Sequence, residues 1–495
     1  PNELRDLEFL LDEYSTSGDL DQVRKEHIEK KIIHEAKKIK LDKELSVNPI
    51  TSDSEWLTRI DSFVCDLKES QFSSGLHIFG KGDCGASELN GLLRCLEGKR
   101  INSGPSGSPY RNRTDIKPTG RNIYAVDPRS IPTKIAFQNG QAMADEFVRQ
   151  YLQDNGDYPR NLTIDLWGSA SMRTGGQEYS MALAFAGLTP IWDKNNARIL
   201  GFSILSLAEL GRPRIDITIR QSGLFRDIFP ELNRLFFDAI DKLHERDETL
   251  KDNPYKNKID RIFAPKPGSF GINIKEKIEG PLADHTAKIG EAWIKSSAWA
   301  YQKNGKFNQN TESLKKRLAD TEALIHSHDL CESDLLSAKD YADHIGGFNA
   351  AVASMQKTNP KLYHLDISSD GIPKVRTTNQ ELARIIRGKL SDDKWVSGML
   401  QHGYRGAAEI TELVFNLSNF GKSGVYLPNH LIELVYNSTL ANTKVADFMA
   451  EENIDALKGL ENTFSELRDL GLWKSFHNAI RYEERLVDNL SLIHI

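Results

Sequence analysis

The chain has 495 residues and carries 64 Lys and Arg against 70 Asp and Glu, a net charge of −6 that argues against a general nucleic-acid binder. At about 150 residues per domain this length predicts roughly three domains, and 39% hydrophobic with 27% charged content fits folded rather than disordered chain. Cys65, Cys84, Cys95 and Cys331 lack the CxxC spacing of a zinc site or disulfide framework, and with neither an apolar run of about 18 residues nor a leader pattern a cytoplasmic protein is expected.

Residues 1–70 read as a helical segment, with Leu4, Leu7, Leu10 and Leu11 and then Ile28, Ile32 and Ile39 at helical spacing. Lys30, Lys31, Lys37 and Lys38 interleave there with Glu26, Glu29 and Glu35, which describes a solvated face and not a basic binding helix. Residues 71–275 read as an α/β region with Gly/Arg-rich loops. Its stretch 103–133 is dense in Gly, Pro, Ser and Arg, but Tyr110, Ile123, Tyr124, Val126 and Ile131 supply packing anchors, so an ordered loop wrapping a site is expected. A helix at Ala142–Leu152, strands at Leu162–Leu166, Arg198–Leu205 and Ile215–Ile219, and a helix at Ile228–Leu243 follow, with a turn at Lys266–Ile272. Residues 276–378 read as mainly helical and 379–495 as a C-terminal helical region. The expected fold class is mixed α/β and multi-domain, an α/β centre between large helical segments.

The chain contains no GxxxxGK[ST], GxGxxG after a strand, GxSxG or HExxH, so any ATP used is expected on another polypeptide. Arg111, Arg113, Arg121 and Arg129 lie in the long loop, Arg173 follows a strand, and Arg212, Arg214, Arg220 and Arg226 cluster downstream. Guanidinium forks match carboxylates bidentately, so this density suits an anionic ligand with several carboxylates. Ion pairing with Asp115, Asp127, Asp216 and Asp227 is the competing reading. WGSASMRTGG (Trp167–Gly176) stands at the end of a strand, where ligand crevices of α/β sheets open, and Glu178 falls in the first turn of the next helix. His326, His328, Asp329, Glu332, Asp334, Asp340 and His344 mix imidazole and carboxylate as first-row metals prefer, without a fixed ligand spacing. His77 and His402 are single histidines beside glycines.

Together these segments resemble the large tetrapyrrole-binding subunit of ATP-dependent metal chelatases, whose branches are the CobN-type cobaltochelatases and the magnesium chelatase H subunits. The resemblance runs nearly end to end, through GLHIFG (Gly75–Gly80), GPSGSP (Gly104–Pro109), PTGRNIYAVDPRSIPT (Pro118–Thr133), WGSASMRTGG, LGRPRIDITIRQSGLFRDIFP (Leu210–Pro230), KPGSFG (Lys266–Gly271), PKVRT (Pro373–Thr377) and KWVSGMLQHGYRGA (Lys394–Ala407). MRTGG and Arg220 in DITIRQSG look like the cobalt branch; Gln177 and Ser333 depart from it, standing where a carboxylate and a histidine are expected. The family's N-terminal half carries an H-G-x-x-E-x-x-P-G-K motif with no match here, so the Pro1 start is read as the C-terminal part of a longer subunit.

The resemblance implies insertion of Co²⁺ into a corrin precursor (hydrogenobyrinic acid a,c-diamide) in cobalamin biosynthesis, with ATP bound by AAA+ ATPase partner subunits. The alternatives are Mg²⁺ insertion into protoporphyrin IX and a non-catalytic tetrapyrrole carrier or sensor. Arg121, Arg173, Arg214 and Arg220 are then expected to grip the macrocycle's carboxylates, His77, Glu178 and His402 to act catalytically, and His326, His328 and Asp329 to handle the metal.

Overall fold

The computed structural model describes residues 2–16, 22–45, 52–70, 72, 84–104, 116–123, 127–195, 197–272, 280–356, 360–369 and 373–475. Its centre is an eight-stranded sheet in the order Lys374–Thr377, Lys361–Asp366, Ala323–His328, Asn161–Leu166, Asp216–Gln221, Ile262–Ala264, Trp299–Tyr301 and Phe307–Gln309. The five strands from Lys361–Asp366 to Ile262–Ala264 run parallel, and antiparallel strands close both edges. Among the parallel five, the chain starts at Asn161–Leu166, moves outward through Asp216–Gln221 to Ile262–Ala264, then returns to the other side of its first strand with Ala323–His328. The order reverses between Asn161–Leu166 and Ala323–His328, and such a switch point opens a crevice at the carboxyl ends of the strands.

Alternation along the strands builds two separate cores. Leu162, Ile164, Leu166, Ile217, Ile219, Ile325, Tyr363 and Leu365 pack with Phe147 of the helix Lys134–Asn155, Phe185 of Gln177–Ala186 and Phe236 of Pro230–Glu245. The opposite face, through Phe263, Leu324 and Leu362, packs with Trp293 of the helix Leu282–Ser297, Phe348 of Gly347–Ala353 and the C-terminal helices. Helices on both faces are what a parallel sheet requires, because its strands have no solvated side.

The helical N-terminal segment folds around its own small core of Leu7, Ile32, Leu41 and Ile60. It is fastened to the C-terminal helices by Glu44, which accepts from Arg387 Nε and Nη2 at 3.1 and 2.6 Å and lies 2.7 Å from His430 Nε2. Asp66 accepts in turn from Lys374 Nζ and Arg376 Nε.

The mixed α/β class holds, but the segment 276–378, read as mainly helical, contributes five of the eight strands. Those strands are three to six residues long and carry His, Tyr and Lys inside, so no apolar run marks them. The strand expected at Arg198–Leu205 forms as Ile199–Ile204, in a hairpin with Leu188–Trp192 apart from the main sheet.

Candidate active site

On the face toward the Trp293 core, the registers place Arg220 opposite Asp165, His326 opposite His364, and His364 opposite Arg376. Ile164 pairs with Ile325, so Asp165 and His326 stand side by side one step further on. The result is a row of ionisable side chains across five adjacent strands, Arg220–Asp165–His326–His364–Arg376, passing through the switch point. All five are buried.

Asp165 is its anchor. Trp167 Nε1 donates to Oδ2 at 2.6 Å, and Arg220 Nη1 donates to Oδ1 at 3.1 Å. Burial, the largest single influence, pushes this carboxyl up, but Arg220 together with His344 and His326 outweighs it and holds Asp165 well below the usual carboxylate range. The same Arg220 Nη1 lies 2.6 Å from His344 Nδ1. A guanidinium can only donate, so Nδ1 accepts and the imidazole keeps its hydrogen on Nε2. The 3.4 Å approach of His344 Nδ1 to Asp165 Oδ2 is therefore not a second hydrogen bond. Burial, with Arg220 beside it, drives the His344 imidazolium down and keeps the ring neutral. His344 reaches this position from a π-helical turn, Ala342–Gly346, pinned by Trp293 Nε1 donating to the His344 carbonyl at 3.1 Å.

His326 has no hydrogen-bond partner on either ring nitrogen, although it is only 2% exposed. Trp167 and Tyr341 lie across its edges at centroid distances of 5.5 Å each, and its Nδ1 is 4.0 Å from Asp165 Oδ2. Burial brings its pKa down to about 3 against the pull of Asp165. It is a neutral base with a free lone pair at any ordinary pH. His328, two residues on and on the same face, points Nε2 at the carbonyls of Leu330 and Ser333 at 2.7 and 2.9 Å.

Arg173 holds Asp329 in a bidentate pair, Nε to Oδ2 at 2.7 Å and Nη2 to Oδ1 at 2.8 Å. Arg173 lies in the helix Gly168–Thr174, which ends at Gly175 and Gly176 with φ of 72° and 90°. A Cβ on Gly176 would fall 2.6 Å from Ile131 Cγ2, so only glycine makes this turn. Beyond it Thr174 Oγ1 donates to Glu178 Oε2 at 2.8 Å and accepts from the Gly176 and Gln177 amides.

A cavity of about 730 Å³ opens beside the row at the ends of Ala323–His328 and Lys361–Asp366. His328, His364, Asp366, Glu381 and Arg376 line it from the sheet side, and Asp66, Ser70 and Phe72 come from the N-terminal segment.

The expected site residues meet unequal fates. His77, Arg111 and Arg113 lie outside the described residues. Arg220, His326, His328 and His344 converge at the switch point, and Arg173 and Asp329 pair with one another. The expected metal trio His326, His328 and Asp329 is not assembled as a ligand set: Asp329 is committed to Arg173, and among the described residues no group of three or more His, Cys, Asp or Glu is placed to hold a metal. The four expected gripping arginines do not converge either. Arg214 is buried, with Nε and Nη2 on Glu248 and the remaining donors on the carbonyls of Ala186 and Leu205. Arg121 donates to the Ile116 carbonyl beside the small ladder Ser103–Gly104/Asn122–Ile123. Arg214 is thus held in an ion pair, though with Glu248 and not with any of the four aspartates expected. His402 is exposed, at the turn before the helix Gly403–Lys422. Asp165, His364 and Glu381 were missed; the first two are polar residues between apolar neighbours in a strand, a signal that alternation contains, whereas Glu381 lies in the polar first turn of the helix Thr378–Ile385, where nothing marks it.

The fold is a doubly wound α/β sheet with a buried ionisable row at its switch point, the position at which α/β proteins bind ligands. The chain belongs to the CobN/magnesium chelatase family, whose model matches residues 1–87 and 81–480. It is 29% identical over 610 residues to the aerobic cobaltochelatase subunit CobN of Pseudomonas aeruginosa, covering 95% of this chain and 49% of that protein. Against the aerobic cobaltochelatase subunit CobN of Sinorhizobium sp the identity is 35% over 425 residues, 81% of this chain and 33% of that one. The catalytic subunit of cobaltochelatase from Mycobacterium tuberculosis shares the fold with a TM-score of 0.87 at 24% identity, over 96% of this chain and 50% of that chain. The chain thus spans half or less of the length of these relatives.

Proposed function

We propose that this chain forms the metal-insertion part of a cobaltochelatase large subunit, placing Co²⁺ in a corrin precursor of the hydrogenobyrinic acid a,c-diamide type while AAA+ partner subunits hydrolyse ATP. The observation that carries this reading is His326, a buried neutral base without a partner at the switch point, next to an ionised Asp165. Insertion requires that two inner N–H protons leave the macrocycle as the metal enters. His326 Nε2 is the acceptor the site offers. Asp165, facing Nδ1, stabilises the imidazolium that forms, as a carboxylate orients and supports a catalytic histidine elsewhere. A neutral histidine also spares the incoming dication the repulsion that a resident cation would exert. Arg220 Nη2 is buried without a partner and gives the crevice one donor for an anionic group of the macrocycle.

Titrating the protein with hydrogenobyrinic acid diamide and with protoporphyrin, followed by absorbance, tests the reading. Corrinoid binding that weakens about tenfold or more in Arg220→Ala supports it. Tight binding of protoporphyrin alone sinks the cobalt assignment in favour of the magnesium branch, and binding without ATP-dependent metal insertion by the complete assembly reduces the protein to a carrier.

A further inference from the structure

Protons delivered to His326 need a way out, because the groups around it are buried. Toward Asp216–Gln221 the row ends at Arg220, which does not give up a proton. In the other direction stands His364, opposite His326 in the register, 1% exposed, with the two rings 6.4 Å apart. His364 turns Nε2 toward Glu381 Oε1 at 3.8 Å, while its Nδ1 is buried and has no partner. At 3.8 Å this is an approach and not a hydrogen bond, and the tautomer a proton relay uses is the one with hydrogen on Nε2, toward the carboxylate, and the Nδ1 lone pair free. Both His364 and Glu381 line the 730 Å³ cavity, together with Asp366, Glu332, Asp334, Glu409 and Glu412.

We propose that His364 is a proton relay between the crevice and the cavity, an inference that rests on the chelatase reading above. A proton leaves the His326 imidazolium and bonds to His364 Nδ1, the rings lying 6.4 Å apart between centroids, so that a bridging water would carry it. The Nε2–H bond of His364 then breaks and its proton passes to the Glu381 carboxylate and on to water in the cavity. Each transfer forms one bond to hydrogen as it breaks another, and a rotation of the imidazole ring restores the starting tautomer. The groups facing His364 set the direction. His326 and His328 come from Ala323–His328, Asp366 from its own strand, Arg376 from Lys374–Thr377, and Glu381 and Arg384 from the helix Thr378–Ile385. Burial pushes Glu381 up, but Arg384 with His364 and Arg376 together outweighs it and keeps the carboxylate ionised, so the receiving end stays negative.

The test uses the complete chelatase assembly with corrinoid, Co²⁺ and Mg-ATP. His364→Gln keeps an amide facing Glu381 but cannot relay a proton, and His364→Ala leaves space that imidazole can enter from the cavity. Expected are an unchanged corrinoid Kd and metal KM in both variants, and a kcat reduced by about ten- to a hundredfold. Added imidazole is expected to restore His364→Ala about tenfold, along imidazole's own titration curve, and to leave His364→Gln unmoved. Wild-type kcat in His364→Gln overturns the relay. So does a loss of corrinoid binding parallel to the loss of kcat, or a His364→Ala that imidazole does not restore. A wild-type assembly that neither binds nor metallates the corrinoid overturns the chelatase reading, whereas an active wild type with an unaffected His364→Gln overturns the relay alone.

Discussion

Arg220 bridges Asp165 and His344 through one nitrogen, 3.1 Å from the carboxylate and 2.6 Å from the imidazole. That single donor acts on two protonation states at once. It favours the ionised Asp165 against its burial, and it adds to the burial that keeps His344 neutral.

Arg220→Gln therefore leaves a buried carboxylate without its cation, and a loss of about 3–5 kcal/mol in unfolding free energy is expected from denaturant melts near neutral pH. In the native protein the Asp165 carboxyl lies below its unfolded value, so its contribution is complete above about pH 4 and fades as the pH falls further. The variant loses that dependence, and urea midpoints between pH 5 and pH 3 read the difference.

His326 and His364 produce the acid limb of stability. Their pKa values are brought down to about 3 and about 4, chiefly by burial, whereas an unfolded histidine takes up a proton near 6.5. A depressed histidine stabilises fully above the unfolded value, and that stability is lost as the pH falls toward the folded one. Between pH 6 and pH 4 each ring is expected to contribute about 1.4 kcal/mol per pH unit to the slope. His326→Gln should remove one such increment, and an unaltered slope would refute its burial as a neutral ring.

Arg173 and Asp329 form a fork-to-fork pair in which the arginine side chain keeps 25% of its surface exposed. Lysine cannot reproduce that geometry. Arg173→Lys is expected to cost about 1–3 kcal/mol, between the values for surface and buried pairs. Asp329→Asn should cost a similar amount, and the double variant should fall well short of the sum, which a double-mutant cycle by thermal or chemical melting measures.

At Gly176, alanine meets both an unfavourable φ of 90° and the Ile131 side chain. A loss of about 2 kcal/mol or more is expected. Because the turn starts the helix that carries Glu178, the Thr174–Glu178 hydrogen bond should go with it, visible as faster amide exchange at Gly176 and Gln177.

Much of this was legible in the sequence, but not as one site. Arg220, His326, His328 and His344 were recognisable as residue types with chemistry, yet they lie up to 124 positions apart, and only strand register, with the π-helical turn Ala342–Gly346 for His344, brings them together. The strand expected at Ile215–Ile219 stops one residue before Arg220, because a guanidinium ends an apolar run by composition even where the ladder continues. Asp165 was hidden for the opposite reason, as a lone carboxylate inside a strand that otherwise reads as core. Arg214 misled: an arginine between loops reads the same whether it faces a ligand or Glu248, and only the carbonyls of Ala186 and Leu205 decide it.

Asp66 closes the cavity wall against Arg376, 310 positions further along the chain. A polypeptide emerging from the ribosome therefore carries Asp66 long before its partner exists, and the enclosure cannot form until the 310 positions between them have been made. Truncated or stalled chains would present the N-terminal helices, and even the first sheet strands, with no cavity beside them. The cavity wall is thus complete only in a molecule whose N-terminal segment has already docked on the strand Lys374–Thr377.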